Sequence, residues 1–455
     1  MSNKIASTLE NYKYLSNSDF YIKKKQYLIL LALGIFSIIS SFATVFAALP
    51  FLDIILAKDP DDYQNISTHI FKYLSYINLQ PSFVVTAVML LVTVILKSIS
   101  DVIYQFYCQK LQYIFMLKEA NELNKKIFGM YQSFYFKFSS AKVLNLFTKE
   151  LERASEIISV YFVSFNSLFQ LIIYLVIPIY LNAKLTLLFF AILIILLIPL
   201  IFINLKILKL GTETTDITND HYKILTNNIG STKFITIHGI IESVNNLFKK
   251  TFSRLIKNKI QLYVLGSVVR NYIQPIGIIA LLIPLYFLLD NKDLSVLGAI
   301  LWSLTRTLNP IGMLLNGVRT INSEIAAFKN LYSTKNFFKD YQITYGSEKI
   351  ETINQILIDK VNFNYESKKI YENLNFKIEK GEKIAIIGDT GSGKSTFLDI
   401  ITNITKINSG NRYVNNISCD KIDFQDLRNK ISYIPQSLII NDATIKEFFQ
   451  FFNEK

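Results

Sequence analysis

Cysteine is almost missing. Cys108 and Cys419 are the only two in 455 residues, and their wide separation gives no sign of a disulfide framework or a thiolate metal cluster. Charge is scarce as well, at 18% of the chain against 51% hydrophobic residues. The chain therefore reads as a membrane protein, not as the roughly three soluble domains its length alone would suggest. A cleavable leader is not expected: residues 1–26 are polar and hold no short apolar core followed by a small-residue cleavage site. No internal repeat at the ~20–50-residue periods of solenoids is found, and no low-complexity tract. The net charge of +13 does not point to nucleic acid, because the lysines are scattered among apolar runs and do not interleave with aromatics on one basic face.

Long apolar runs fill the chain instead. A spanning helix takes ~20 mainly apolar residues, and six segments qualify, near 27–56, 82–106, 158–181, 185–208, 262–289 and 294–318. Lys23, Lys24 and Lys25 stand directly before the first, a pattern that holds an N-terminus in the cytoplasm. The connection after the first span carries Asp59, Asp61 and Asp62 against Lys58, and the outward turns at 182–184 and 290–293 are short. The connections at 107–157 and 209–261 are long and basic, with Lys125, Lys126, Lys249, Lys250 and Arg254. Long basic loops belong inside. The expectation is a multi-pass protein of a bacterial inner membrane, with residues 27–322 as the membrane domain and both termini cytoplasmic.

Residues 323–349 read as a helix leaving the membrane and a linker, and a soluble portion begins near 350. There the texture changes: 355–367 alternates as a strand does, 368–383 reads as a second strand and a turn, and 383–388 as a short buried strand. Gly388, Asp389, Thr390, Gly391, Ser392, Gly393, Lys394 and Ser395 then fit G-x-x-x-x-G-K-[ST], followed by Thr396 and an amphipathic helix. The glycines let backbone N–H groups converge on phosphate oxygens, and the helix adds its positive end. Lys394 is positioned for the β and γ phosphates and the Ser395 hydroxyl for Mg2+.

Four stretches, VNFNY at 361–365, GDTGSGKST at 388–396, LRNKISYIPQ at 427–436 and ATIKEF at 443–448, follow one another in the order and spacing of ABC transporter nucleotide-binding domains. With six spans upstream, the chain resembles an exporter-type half-transporter of that family. The resemblance implies an α-helical six-span membrane domain followed by an α/β P-loop domain, ATP and Mg2+ as cofactors, and a dimer partner, identical or not. It implies that Tyr365 stacks on adenine, although a strand aromatic beside Phe363 also suits the core, and that Gln436 approaches Mg2+. It further places coupling segments at 139–153 and 227–239, the first with Ala141 and Lys142 where a glycine often stands.

The family's signature S-G-G-Q, an acidic strand end and a switch histidine are not found; the last histidine is His238. Residues 350–455 are therefore expected to form only the first part of the nucleotide domain, without ATP hydrolysis by this chain alone. A separate polypeptide bearing the remaining half is a possible partner, and a non-hydrolysing regulator or relic is the alternative reading.

Ionisable residues inside a span are costly and default to functional candidates. Lys97, Arg270 and Arg306 are three such cations, suited to an anionic head group if they share a cavity. Lys97 could instead pair with Asp101, and the two arginines stand near Pro275 and Pro310, where polar groups can satisfy carbonyls freed at a kink. These positions resemble flippases of lipid-linked oligosaccharides, with lipid A, peptides or drugs as alternative cargoes.

Overall fold

The computed structural model describes residues 23–56, 65–76, 78–131, 134, 140–288, 294–343, 346–365, 368–434 and 444–447. The chain divides into two compact units, 1–125 with 138–336, and 126–137 with 337–455.

The first unit is helical. Helix α1 spans Lys24–Leu56 and is apolar around its whole circumference. Three of its hydroxyls return to their own backbone, Ser40 to the Phe36 carbonyl, Ser41 to that of Ser37 and Thr44 to that of Ser41, each at 2.8 Å. A membrane helix must satisfy its polar groups internally, and these do. Then come α2 (Asn65–Tyr76), α3 (Phe83–Phe128) and α4 (Ser140–Asn145), and a π turn over Leu146–Glu150 leads into α5 (Leu151–Gly230). The short α6 (Thr232–Ile237) precedes α7 (Ile241–Leu288) and α8 (Leu294–Lys339).

Helix α5 carries both the third and the fourth expected spans. It bends at Asn182 (φ −158°, ψ 87°), whose side-chain oxygen accepts the Leu185 N–H at 3.1 Å and so caps the returning arm. Among the described residues, four continuous helices (α1, α3, α5 with the turns before it and both its arms, and α7) are long and apolar enough to cross a membrane. Helix α8 matches them in length but, with Arg306 and Arg319, falls outside that set among the described residues. The linker expected at 323–349 is mostly helix, since α8 continues through Lys339.

Leu185 and Phe189 of α5 pack with Ala280 of α7 and Ile300 and Leu304 of α8, all nearly inaccessible. In lipid such contacts stabilise through close packing and not through exclusion of water. Helices α5 and α8 meet backbone to backbone: a Cβ on Gly211 would stand 2.5 Å from the Ser323 carbonyl oxygen and 2.9 Å from its Cα. Only glycine fits there.

The second unit holds a four-stranded sheet in the order β2-β1-β3-β4, formed by β1 (Gln355–Tyr365), β2 (Lys368–Glu379), β3 (Ser409–Val414) and β4 (Ile417–Ser418). Every pairing is antiparallel. Helix α9 (Lys394–Ile401) lies between β2 and β3 in sequence, and α10 (Phe424–Asn429) follows a 3-10 turn. Strand β1 buries Ile358, then Val361 and Phe363. That change from even to odd positions requires an extra residue, and the register is irregular between Ile358 and Val361, with Lys360 at φ 49°. The bulge keeps one apolar face on the core. Opposite it, a Cβ on Gly410 (φ +94°) would lie 2.4 Å from the Lys360 carbonyl oxygen. Ile400 of α9 joins Ile358, Val361 and Phe363 in the core, each burial stabilising by about 1.5–3 kcal/mol.

Residues 129–134 also belong here. The Tyr131 N–H donates to the Tyr341 carbonyl at 3.0 Å and the Ile343 N–H to that of Gly129 at 3.1 Å, while the fully buried Phe134 meets Phe338 edge-on at 5.2 Å. The described part of the segment expected at 139–153 instead forms α4 and the π turn and continues into α5.

One expected strand is not there. Residues 383–388 pair with no strand among the described residues, and Ile384, Ile386 and Ile387 are exposed. A short apolar strand is buried only when strands flank it, and β1 to β4 pair with one another.

Candidate functional site

The glycine turn is built on the hairpin. After β2 the chain reverses at Gly381 (φ +89°) and runs extended to Gly388. Gly391 and Gly393 then take φ +86° and +98°, a left-handed conformation that other residues rarely adopt. Gly393 starts α9: its carbonyl accepts the Phe397 N–H at 2.8 Å and the Tyr371 hydroxyl at 3.0 Å. A Cβ on Gly393 would meet that same hydroxyl and Ile370 at 3.0 Å, whereas one on Gly391 would meet nothing. The loop is thus pressed against β2 at one end and open at the other.

The Lys394 ammonium donates to the carbonyls of Gly388 and Asp389, at 2.6 and 2.8 Å. The Ser392 N–H donates to the Asp389 carbonyl at 3.2 Å. Residues 381–392 are exposed, as is Ser395. Thr396 is buried with Phe397 against the core, so its contribution at the helix start is its backbone N–H. A positive helix end, left-handed glycines, a lysine folded over the loop and an exposed hydroxyl fit a phosphate and its metal ion.

Two arginines hold the other end of α9. Arg412 of β3, nine-tenths buried, donates to the carbonyls of Thr405 at 2.8 Å and Ile400 at 3.5 Å. Arg428 of α10 donates to those of Thr402 and Asn403. Cations at a helix C-terminus satisfy its last carbonyls and its dipole. Neither arginine, nor Tyr371, is visible in the motif, because each reaches α9 across the fold.

Tyr365 ends β1 half-buried, perpendicular to the Phe363 ring at 4.8 Å, and packs against the core. Gln436 lies outside the described residues.

In the helical unit the three basic candidates divide. Lys97 of α3 is buried and 2.5 Å from Asp101, which also accepts from Ser37 at 2.8 Å and from Gln170 at 3.3 Å. Arg306 lies close enough to act electrostatically on Lys97 and Tyr174, and its guanidinium stacks on Trp302 at 4.5 Å. Arg270 is exposed and its electrostatic neighbour is Arg319, which bonds Asn316 and Thr320 at 2.9 and 3.0 Å. Arg319 stands one residue beyond the sixth apolar run, which is why a search confined to the spans passes over it.

Residues 371–454 match the family model described as ABC transporter. Over 91 residues the chain is 40% identical to the ABC transporter ATM1 of Plasmodium falciparum, covering 20% of this chain and 9% of that protein. It is 24% identical over 242 residues to the ATP-dependent lipid A-core flippase of Wigglesworthia glossinidia brevipalpis, covering 49% of this chain and 41% of the relative. The chain thus spans less than half the length of these curated relatives. Its fold is similar to the solved structure of a bacterial Atm1-family ABC exporter with ATP bound, with a TM-score of 0.70 and 13% identity, covering 94% of this chain and 74% of that one.

Proposed function

We propose that this chain, whose residues 371–454 match the ABC transporter family model and whose fold is similar to that of a bacterial ABC exporter, is an exporter-type half-transporter that takes part in ATP-driven export or flipping of a lipid-linked anionic cargo across a membrane. The observation that carries this reading is the cradle at 388–396 in a chain that also bears membrane-type helices. Gly388, Asp389, Thr390, Gly391, Ser392 and Gly393 supply converging N–H groups with the start of α9, Lys394 the cation for the terminal phosphates, and Ser395 with Gln436 the Mg2+ ligands. Tyr365 would stack on the adenine. ATP held there would supply free energy to the assembled transporter through hydrolysis of its β–γ phosphoanhydride bond. Nucleotide binding is assigned to this cradle, and hydrolysis to the assembled transporter with its dimer partner.

A lipid cargo is favoured because the match to a lipid A-core flippase is the longest of the relatives described above. Lys97 with Arg306, and Arg270, are the cations assigned to its head group, and a pyrophosphate-linked oligosaccharide carrier suits them as well as lipid A does. The long basic loops support placing both termini in the cytoplasm, and the proposed location is a bacterial inner membrane.

The test has two arms. Lys394→Ala is expected to weaken binding of a fluorescent ATP analogue to the purified chain by about tenfold or more, and unchanged binding would remove the nucleotide assignment. In proteoliposomes or cells that support transport, Arg270→Ala with Arg306→Ala is expected to abolish lipid translocation while ATP binding persists. Full translocation by the double variant defeats the cargo assignment.

A further inference from the structure

Helix α5 continues well past its last apolar run, and His221 stands thirteen residues (221 − 208) beyond the end of that run, roughly 20 Å at ~1.5 Å per residue. At this level a cavity of about 370 Å3 opens, with Tyr222 and His221 of α5 on one side and Phe252 and Lys259 of α7 on the other. Lys149, on the π turn, and Arg153 complete its basic wall, with Glu324 as the one acid among the lining residues. The volume is within the ~300–1,000 Å3 of small-molecule sites.

Its charges are not balanced. Arg153 is committed: its guanidinium meets Glu324 at 2.5 Å, the Thr215 hydroxyl at 3.1 Å and the Ser323 carbonyl at 3.1 Å. That pair cancels, leaving Lys149 and Lys259 in surplus. Lys149 approaches Glu152 only at 3.7 Å with both side chains more than half exposed, a pairing worth little in water. Lys259 pairs with no carboxylate among the described residues. A π turn, the geometry that carries Lys149, is concentrated at functional sites.

The apolar wall is ordered. The His221 imidazole lies against Phe248 and Phe252, with both ring centroids at 5.1 Å, is only 9% exposed, and its Nδ1 has no hydrogen-bond partner. A buried polar atom without a partner costs free energy. Tyr222 reaches the Thr148 hydroxyl at 3.4 Å. Two surplus lysines beside aromatic rings suit a ligand with an anionic end and a flat or apolar body.

We propose that this cavity binds a small phosphate-bearing amphiphile, its phosphate on Lys149 and Lys259 and its apolar body against Tyr222, Phe252 and His221. The ligand bridges α5 and α7 and so favours one separation of the two helices. The proposal uses neither the glycine cradle nor the cations of the spans, and it stands or falls apart from the transport reading.

The test is calorimetric titration of the full chain carrying Lys394→Ala, so that the glycine cradle does not contribute. The two probes are 1-naphthyl phosphate and dihexanoyl phosphatidic acid. Saturable binding is expected, weakened about tenfold or more by Lys259→Glu and unchanged by Lys257→Glu, which makes the same charge change two residues away outside the cavity. Tighter binding of naphthyl phosphate assigns a soluble aromatic phosphate, and tighter binding of the phosphatidic acid a lipid head group; either upholds the site. No saturation by either probe, or equal weakening by the two lysine variants, overturns it.

Discussion

Lys335→Met is expected to destabilise the helical unit strongly. The Lys335 ammonium of α8 lies 2.9 and 3.3 Å from the two Glu119 oxygens and 3.0 Å from Glu122, both on α3. The Glu119 side chain is 0% exposed and that of Lys335 9%. Burial pulls the ammonium pKa down, but the hydrogen bonds and charges of the two carboxylates outweigh it and hold the value above that of an ordinary lysine. A raised cation pKa means that the contribution is fully present at pH 7 and is lost only as pH climbs through the raised value. Methionine keeps most of the stem and removes the charge, leaving Glu119 buried without its counter-ion. Breaking a buried pair on one side costs about 3–5 kcal/mol, or a drop of about 6–10 °C at roughly 2 °C per kcal/mol. Converting the partner as well, with Glu119→Gln in the Lys335→Met background, removes the isolated charge and recovers most of the loss. Thermal denaturation of the full chain in detergent measures both. A single variant within about 1 °C of the parent, or a double variant no better than the single, refutes the reasoning.

Gly211→Ala places a methyl group on the Ser323 backbone, forces α5 from α8, and costs about 1–3 kcal/mol in the same melting assay; an unchanged midpoint would show that the two helices yield freely. Arg412→Met leaves the Thr405 carbonyl without its side-chain donor and takes one of the donors from that of Ile400, and amide exchange across 394–405 is expected to quicken about tenfold to a hundredfold, from ~1–3 kcal/mol of unpaired acceptor. Exchange at the parental rate would mean that α9 does not depend on that arginine. Burial, at 3% exposure, pushes the Cys419 thiol up to about 11, so iodoacetamide at pH 8 labels it more than about a hundredfold slower than a free cysteine until the chain is unfolded. Rapid labelling of the folded chain would place Cys419 at the surface.

The legible features were those whose residues are neighbours in the chain. The helical spans announced themselves through apolar runs, and the hairpin β1–β2 through alternation. The glycine turn at 388–396 needs only adjacent residues to take its shape. Less legible was the strand expected at 383–388, because its apolar residues describe a preference for burial and not the presence of flanking strands. The same limit applied to Lys97, Arg270 and Arg306: depth along a helix could be counted, but not which way each helix faces. Two of them turned out to be near one another, and the third stands beside Arg319.

Sequence by itself determined that this chain has membrane-type helices and, after them, a phosphate-type glycine turn, since hydropathy and local backbone geometry depend on consecutive residues. Only the tertiary structure decided that Asn182 bends one helix into two arms, that Gly211 lets α5 touch α8, that Arg412 and Arg428 hold the far end of α9, and that Lys149, His221 and Lys259 line one cavity. Apart from the Asn182 bend, those arrangements join residues from seven to more than a hundred positions apart, and their cost or gain is set by close contact in three dimensions, which no local pattern encodes.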